Sequence, residues 1–360
     1  MSSGSSLARA GRWLLDSGIQ ERSGGVARFY RSDIRKNKPI STEITGYFAS
    51  AMVWLFEITG DEEYLDRARV TAGFLVDHAW DTGLRTFPFE HPSPSPEINH
   101  HAYFFDCGII VRGLIAVWRC TRDDRLLDIA AAAGCSMIRD FHDGEDYHPI
   151  LELPAKRPLG RIARWSRMPG CYQLKAALGW WDLAMATGDV AFENAYVGML
   201  RSALRSQKSY LPGSSDPCEV MDRLHSYCYF LEGLTPFAAR PDYHEAYIKG
   251  IYTTHLNLKK IEELFVRSDV YAQLLRARLW MADFDHVAAA EEAEALERFQ
   301  LVSDDPRIDG GFLFGRREGN LSPHVNPVST IFSMQALEMW RRHQLPEQSG
   351  EKPQCTRMPI

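Results

Sequence analysis

Asp106 stands inside an apolar run, Tyr103-Phe104-Phe105-Asp106-Cys107-Gly108, where an unpaired carboxylate is costly. Two roles fit it: a structural ion pair with an arginine, or a catalytic acid that keeps its proton until a departing group needs it. Glu43 and Asp269 are acids at other helix starts, where a carboxylate also serves as a dipole partner or a cap. His100 and His101 lie just ahead of Asp106. Read as helical neighbours they diverge in direction, which suits separate substrate contacts better than one metal ion. No HExxH motif and no Cys cluster accompanies them, so neither metal nor cofactor is expected.

The segment Pro154–Gly170 carries Lys156, Arg157, Arg161, Arg164 and Arg167 around Trp165. Such a run is commonly a solvated loop. Here it leads directly into an apolar helix, and guanidinium groups capture carboxylates bidentately while an indole offers a face to a sugar ring. The remaining polar and aromatic residues at helix starts are Tyr47 and Tyr103; Tyr172 and Lys175; Asp222, Arg223, His225, Tyr227 and Tyr229; Arg267 and Gln273; then Asn326, Ser329 and Thr330. Asp222, Asp269 and Asn326 equally fit as caps. Taken together the set describes an aromatic-walled cleft for a hydroxylated, acidic ligand, with His100, His101, Tyr47, Tyr103, Arg164, Trp165, Tyr172, His225, Tyr227, Arg267 and Asn326 as substrate contacts.

What must position these residues is a repeated helical hairpin. In Ser41–Ala68 the residues Ile44, Tyr47, Phe48, Ala51, Trp54, Leu55 and Ile58 fall at helical spacing, with Thr42 as the expected N-cap. Thr59-Gly60-Asp61 then stops one helix and starts the next. The joint recurs as Thr121-Arg122-Asp123, Thr187-Gly188-Asp189 and Arg240-Pro241-Asp242, with a weaker copy at Asp285. That is a period of roughly 45 to 65 residues, the mark of an array of one supersecondary unit. A first helix at Leu7–Gly18 and a last at Val328–Arg342 lack neighbours in sequence and complete a sixth pair. Six pairs closed on themselves need no capping repeats, so the sequence predicts an all-α fold, an (α/α)6 toroid.

The bulk properties agree with an enzyme-sized globular chain. The repeat fills residues 1–345 as one domain, leaving 346–360 as a Pro- and charge-rich tail expected to fray; the only linker-like stretch is His91–Pro96. A net charge of −6 argues against general nucleic-acid binding. No stretch approaches a membrane span, the N-terminal residues carry no apolar leader, and seven scattered cysteines without a CxxC suit a reducing compartment. The expectation is therefore a cytoplasmic protein with a saccharide partner, and a homo-oligomer is compatible with it.

Thr42-Glu43-Ile44-Thr45-Gly46-Tyr47, Phe105-Asp106-Cys107-Gly108 followed by Arg112-Gly113-Leu114, and Asp309-Gly310-Gly311-Phe312 leading to Asn326-Pro327-Val328-Ser329-Thr330 together resemble bacterial six-hairpin toroid proteins. These include unsaturated glucuronyl hydrolases and glucuronyl C5-epimerase-like domains. The resemblance implies a carbohydrate-active enzyme on a uronate-bearing saccharide. In a hydrolase, Asp106 matches an acid of the family, with Glu43 or Asp269 as its partner. In an epimerase or lyase, tyrosines such as Tyr47, Tyr103, Tyr172 and Tyr227 would handle the proton beside the sugar carboxylate. A non-catalytic glycan-binding or scaffold role is the third reading.

Overall fold

A computed structural model describes residues 5–91, 100–162, 164–345 and 360. Most of the Pro/Ser run and nearly all of the tail therefore lie outside the described residues. Ile360 itself is buried, and its N–H donates to Gln335 Oε1 at 3.2 Å. Twelve α-helices are present among the described residues: α1 (Ser6–Asp16), α2 (Thr42–Thr59), α3 (Glu62–Phe74), α4 (Phe104–Thr121), α5 (Asp124–Asp140), α6 (Gln173–Thr187), α7 (Val190–Ser206), α8 (Pro217–Leu234), α9 (Pro241–Ile261), α10 (Ser268–Leu279), α11 (His286–Glu297) and α12 (Pro327–Gln344). None is long and apolar enough to cross a membrane.

The chain forms two compact units. One comprises Ile19–Arg28 and Asn37–Lys208 and holds the hairpins α2–α3, α4–α5 and α6–α7, with α4 packed between α2 and α6. The repeated joint has a single chemistry. Gly60, Arg122 and Gly188 take left-handed φ values of 72°, 58° and 74° at the C-caps. The next Asp then caps the following helix, accepting from Glu63, Arg125 or Ala191 N–H. The preceding Thr hydroxyl accepts from that Asp's own N–H at 3.1–3.4 Å in all three copies. Glycine also sets the crossings. A Cβ on Gly113 would sit 2.5 Å from the Gly46 carbonyl oxygen, and one on Gly108 would sit 2.3 Å from that of Ala176. The inner helices pack backbone to backbone there, which fixes the offset between their first turns.

The other unit comprises Met1–Gly18, Phe29–Lys36 and Ser209–Ile360. Its hairpins are α8–α9, α10–α11 and α12 with α1, so the chain's two end helices do pair. Arg9 donates to Asp309 at 2.8 Å and to the Leu301 carbonyl at 2.7 Å, and Trp13 Nε1 donates to the Arg307 carbonyl at 2.9 Å.

Several local expectations are corrected. Ser41, not Thr42, caps α2, accepting from Ile44 N–H, while the Thr42 hydroxyl donates to the Pro88 carbonyl. Asp216 caps α8, so Asp222 is not a cap, and Asp269 is the second residue of α10 rather than its cap. His101–Tyr103 is not helical but a short strand, antiparallel to Ile150–Glu152, which in turn pairs with Arg157–Pro158. Likewise Arg267 ends a strand, Phe265–Arg267, paired with Gly315–Arg317. The loops ahead of these inner helices thus form small sheets, and those sheets aim the polar residues.

Candidate active site

In the unit built on α2, α4 and α6, the first turns of the three inner helices meet. Glu43 is half-buried in the first turn of α2, and Asp106 is 4% exposed in that of α4. Lys175, the third residue of α6, is fully buried, its ammonium 5.3 Å from the ring centroid of Tyr47. Tyr47 follows Glu43 by one turn of α2, which explains why the ring and the carboxyl share this space. Arg28 enters from the loop before α2, pairs with Glu90 and covers the Phe89 ring at 4.6 Å.

The electrostatics separate the two acids. Burial pushes the Glu43 carboxyl up to about 7, with the charges of Arg28 and Lys175 pulling the other way. Burial and then the charge of Glu43 raise Asp106 well above the usual carboxylate range, against the opposing pull of Arg28. Among the described residues no cation forms an ion pair with Asp106, and its Oδ2 meets no hydrogen-bond donor. That disposes of the structural ion pair offered for it by the sequence. Two coupled carboxyls that burial raises in this way are candidates for acid and base roles.

Around the pair runs a wall of rings and cations. Phe89 and Tyr103 lie 4.9 Å apart, His101 meets Tyr103 edge-on at 6.4 Å, and Phe105 is 6.4 Å from Tyr172. Trp165 stands perpendicular to Tyr172 at 5.1 Å, and the Tyr172 hydroxyl donates to the Met168 carbonyl at 3.1 Å. Tyr103 is raised by burial and by Asp106, with Arg167, Arg164 and Arg28 opposing; His101 is lowered chiefly by burial. His100 precedes this strand, half-buried, with an Nδ1 that has no hydrogen-bond partner among the described residues. Glu43, Asp106, Tyr47, His100, His101, Tyr103, Arg164, Trp165 and Tyr172 all lie in this unit, linked by these ring contacts and fields. Arg28, and a role for Lys175, went unread. The signal for Lys175 is a lone charge in the apolar run of α6; Arg28 has none beyond its aromatic neighbours.

Asp269, Arg267, His225, Tyr227 and Asn326 belong to the other unit and have different partners. Arg267 donates to both oxygens of Asp269 at 3.0 and 2.6 Å, reaches Asp222 at 3.2 Å and covers Phe314 at 4.6 Å. Burial works against ionisation of Asp269, yet Arg267 and His225 hold its carboxyl below the ordinary value. Asp269 is therefore held in its ionised form, paired with Arg267. His225 lies 3.4 Å from Asp269 and bonds Gln273 through Nδ1 at 3.0 Å; burial and Arg267 push it down to about 4. The chain of contacts continues through Gln273 to Glu232, Arg276 and Gln335. Asn326 caps α12, accepting from Val328 and Ser329 N–H. Tyr227 is buried against Phe230, ring centroids 5.4 Å apart. Among the described residues no three His, Cys, Asp or Glu side chains gather into a metal-holding group.

The fold is that of several solved sugar-processing proteins. A sugar epimerase from a ruminal bacterium superposes with a TM-score of 0.69 at 9% identity, covering 92% of this chain and 98% of that one. The cellobiose 2-epimerase of Spirochaeta thermophila DSM 6192 gives 0.68 at 13% identity, covering 93% and 97%, and a D-mannose isomerase gives 0.71 at 9%, covering 94% and 97%. The chain therefore has the six-hairpin, (α/α)6-toroid fold predicted from its repeat. No protein-family model matches it, and no curated protein sequence matches it.

Proposed function

We infer that the chain is a carbohydrate-active enzyme that uses Asp106 and Glu43 as an acid–base pair on a saccharide bearing a carboxylate. The observation that carries the reading is Asp106: buried, with an oxygen that no described residue satisfies, and pushed by burial and then by Glu43 toward its protonated form. In the hydrolytic form, Asp106 gives its proton to the departing oxygen while the glycosidic bond breaks. Glu43, ionised, takes a proton from the attacking water, whose oxygen ends on the sugar carbon. Arg28, Arg164 and Arg167 supply positive charge for the substrate carboxylate, and Tyr103, Phe89 and Trp165 supply ring faces.

A second reading is epimerisation, isomerisation or lysis; a sugar epimerase, a cellobiose 2-epimerase and a D-mannose isomerase among the solved structures with this fold favour the first two. There Glu43 removes the proton next to the carbonyl or carboxyl carbon and Arg28 stabilises the enolate; Asp106 then returns a proton to carbon in epimerisation or isomerisation, or gives one to the departing oxygen as the C–O bond breaks in lysis. Incubation with glucuronate-bearing disaccharides in heavy water separates the two. Hydrolysis yields a new reducing end with no carbon-bound deuterium and no double bond, epimerisation or isomerisation leaves deuterium on carbon, and lysis leaves a carbon–carbon double bond. An Asp106→Asn variant as active as the parent would overturn both readings and favour a non-catalytic, glycan-binding role.

A further inference from the structure

Arg28 and Glu90 stand on opposite sides of one extended segment, residues 39–42, which runs straight into α2 and Glu43. Main-chain bonds tie both to it. On one side Arg28 N–H donates to the Pro39 carbonyl at 3.0 Å, and Ala27 bridges Ile40. On the other Glu90 bridges Ser41, and Thr42 N–H donates to the Phe89 carbonyl at 3.3 Å. Phe89 N–H reaches on to the His101 carbonyl at 2.9 Å, at the start of the strand that leads into α4 and Asp106. The backbone thus sets where Arg28 and Glu90 stand relative to both acids.

Their side chains are held differently. Glu90 is 6% exposed and Arg28 35%. Arg28 Nη2 donates to Glu90 Oε1, and the guanidinium lies over the Phe89 ring, 4.6 Å from its centroid. Among the described residues nothing accepts from Arg28 Nε or Nη1. A guanidinium pinned at one corner and on one face still offers N–H donors to a planar carboxylate. Its charge is felt at Glu43, Asp106 and Tyr103. By contrast Arg167 spends Nη2 on the Gly160 carbonyl at 2.6 Å, and Arg164 is exposed. We propose that Glu90 is a positioning residue: it holds Arg28 over Phe89 so that this guanidinium, rather than Arg164 or Arg167, grips the carboxylate of the sugar at the acid pair. The inference rests on the reading of the site as one for a carboxylate-bearing saccharide. Without its tether, so exposed an arginine spreads over many rotamers, and the preference for a charged sugar goes with it.

Methyl glucuronide and methyl glucoside, which differ only in carboxylate against hydroxymethyl, test it when titrated into the full chain and followed by NMR. The parent should bind the glucuronide about tenfold more tightly. Glu90→Ala should weaken glucuronide binding roughly fivefold and leave the glucoside unchanged, whereas a merely structural loss would weaken both. Arg28→Met should also weaken the glucuronide alone, and the double variant should bind it no more weakly than Arg28→Met, because Glu90 acts through Arg28. If Glu90→Ala fails to fold, Glu90→Gln, which keeps the shape and loses the charge, is read in its place. A parent with no preference for the glucuronide overturns the carboxylate reading of the site and this inference with it. A preference that survives Glu90→Ala, a glucoside affinity that falls as far as the glucuronide's, or a double variant weaker than Arg28→Met overturns this inference alone.

Discussion

Asp106 is raised by burial and then by the charge of Glu43: the two acids stand in the first turns of α4 and α2, and ionisation of one makes ionisation of the other harder. Both acids are raised, but unequally, so there is a pH range in which Glu43 is ionised and Asp106 is not. Activity should rise as pH passes about 7, where Glu43 becomes a base, and fall at the higher pH where Asp106 loses its proton. Asp106→Asn and Glu43→Gln should each lower kcat/KM by about 10²- to 10⁴-fold with the circular-dichroism spectrum unchanged. A profile that is flat across pH 6–8 would contradict the assignment of the base.

The same pair should cost the fold stability at neutral pH. A carboxyl whose folded pKa lies above its unfolded value keeps a proton in the native state that the unfolded chain has already released. Stability is then greatest below the unfolded value, near 4.5 for Glu43, and is lost as pH rises toward about 7. Glu43→Gln removes that loss and should stabilise the protein at pH 8 by roughly 1–3 kcal/mol, with little effect at pH 4. Asp106→Asn should act in the same direction. Thermal melts at the two pH values check it; a variant destabilised at pH 8 would mean that the carboxylate is satisfied in the native state.

Lys175 should be felt through Glu43. Its buried ammonium opposes the upward pull of burial on that carboxyl, so Lys175→Met should move the rising limb of the pH–activity profile to higher pH. A drop in kcat without displacement of the limb would point instead to a direct contact with substrate. Because the ammonium also covers the Tyr47 ring, Lys175→Arg is the control: it keeps the charge and should keep the limb in place.

The fold was legible because its signal is local and repeated. Each joint, Thr-Gly-Asp twice and Thr-Arg-Asp once, specifies a left-handed stop and a new cap within three residues, and the chain writes it often enough to be counted. Asp106 was legible for a related reason, as one charge in an apolar run. Asp269, at a helix start, read equally as a cap or an acid; its partner is Arg267 two residues earlier, at the end of a strand rather than in a helix. Arg28 was hidden because its importance comes from long-range loop placement beside Glu90, Glu43 and Asp106. Nothing in the identity or spacing of Arg28 encodes that.

His225 supplies a test of the network on α8 and α10. Its ring is buried beside Arg267, and the resulting cost of a second positive charge outweighs the attraction of Asp269, so it stays neutral down to about pH 4. Here the folded pKa lies below the unfolded one, so the sign reverses: the unfolded chain takes up a proton that the native state refuses. Between about pH 6.5 and 4, stability should fall as pH falls, and His225 should contribute to acid unfolding. Titration of its imidazole carbon-bound protons by NMR should find no midpoint above pH 5. A midpoint near 6.5 would mean that the ring is open to water or that Asp269 governs it in place of Arg267. In Asp269→Asn the attraction is gone, so the midpoint should move lower still, while the bidentate partner of Arg267 is lost and the melt drops by about 3 kcal/mol.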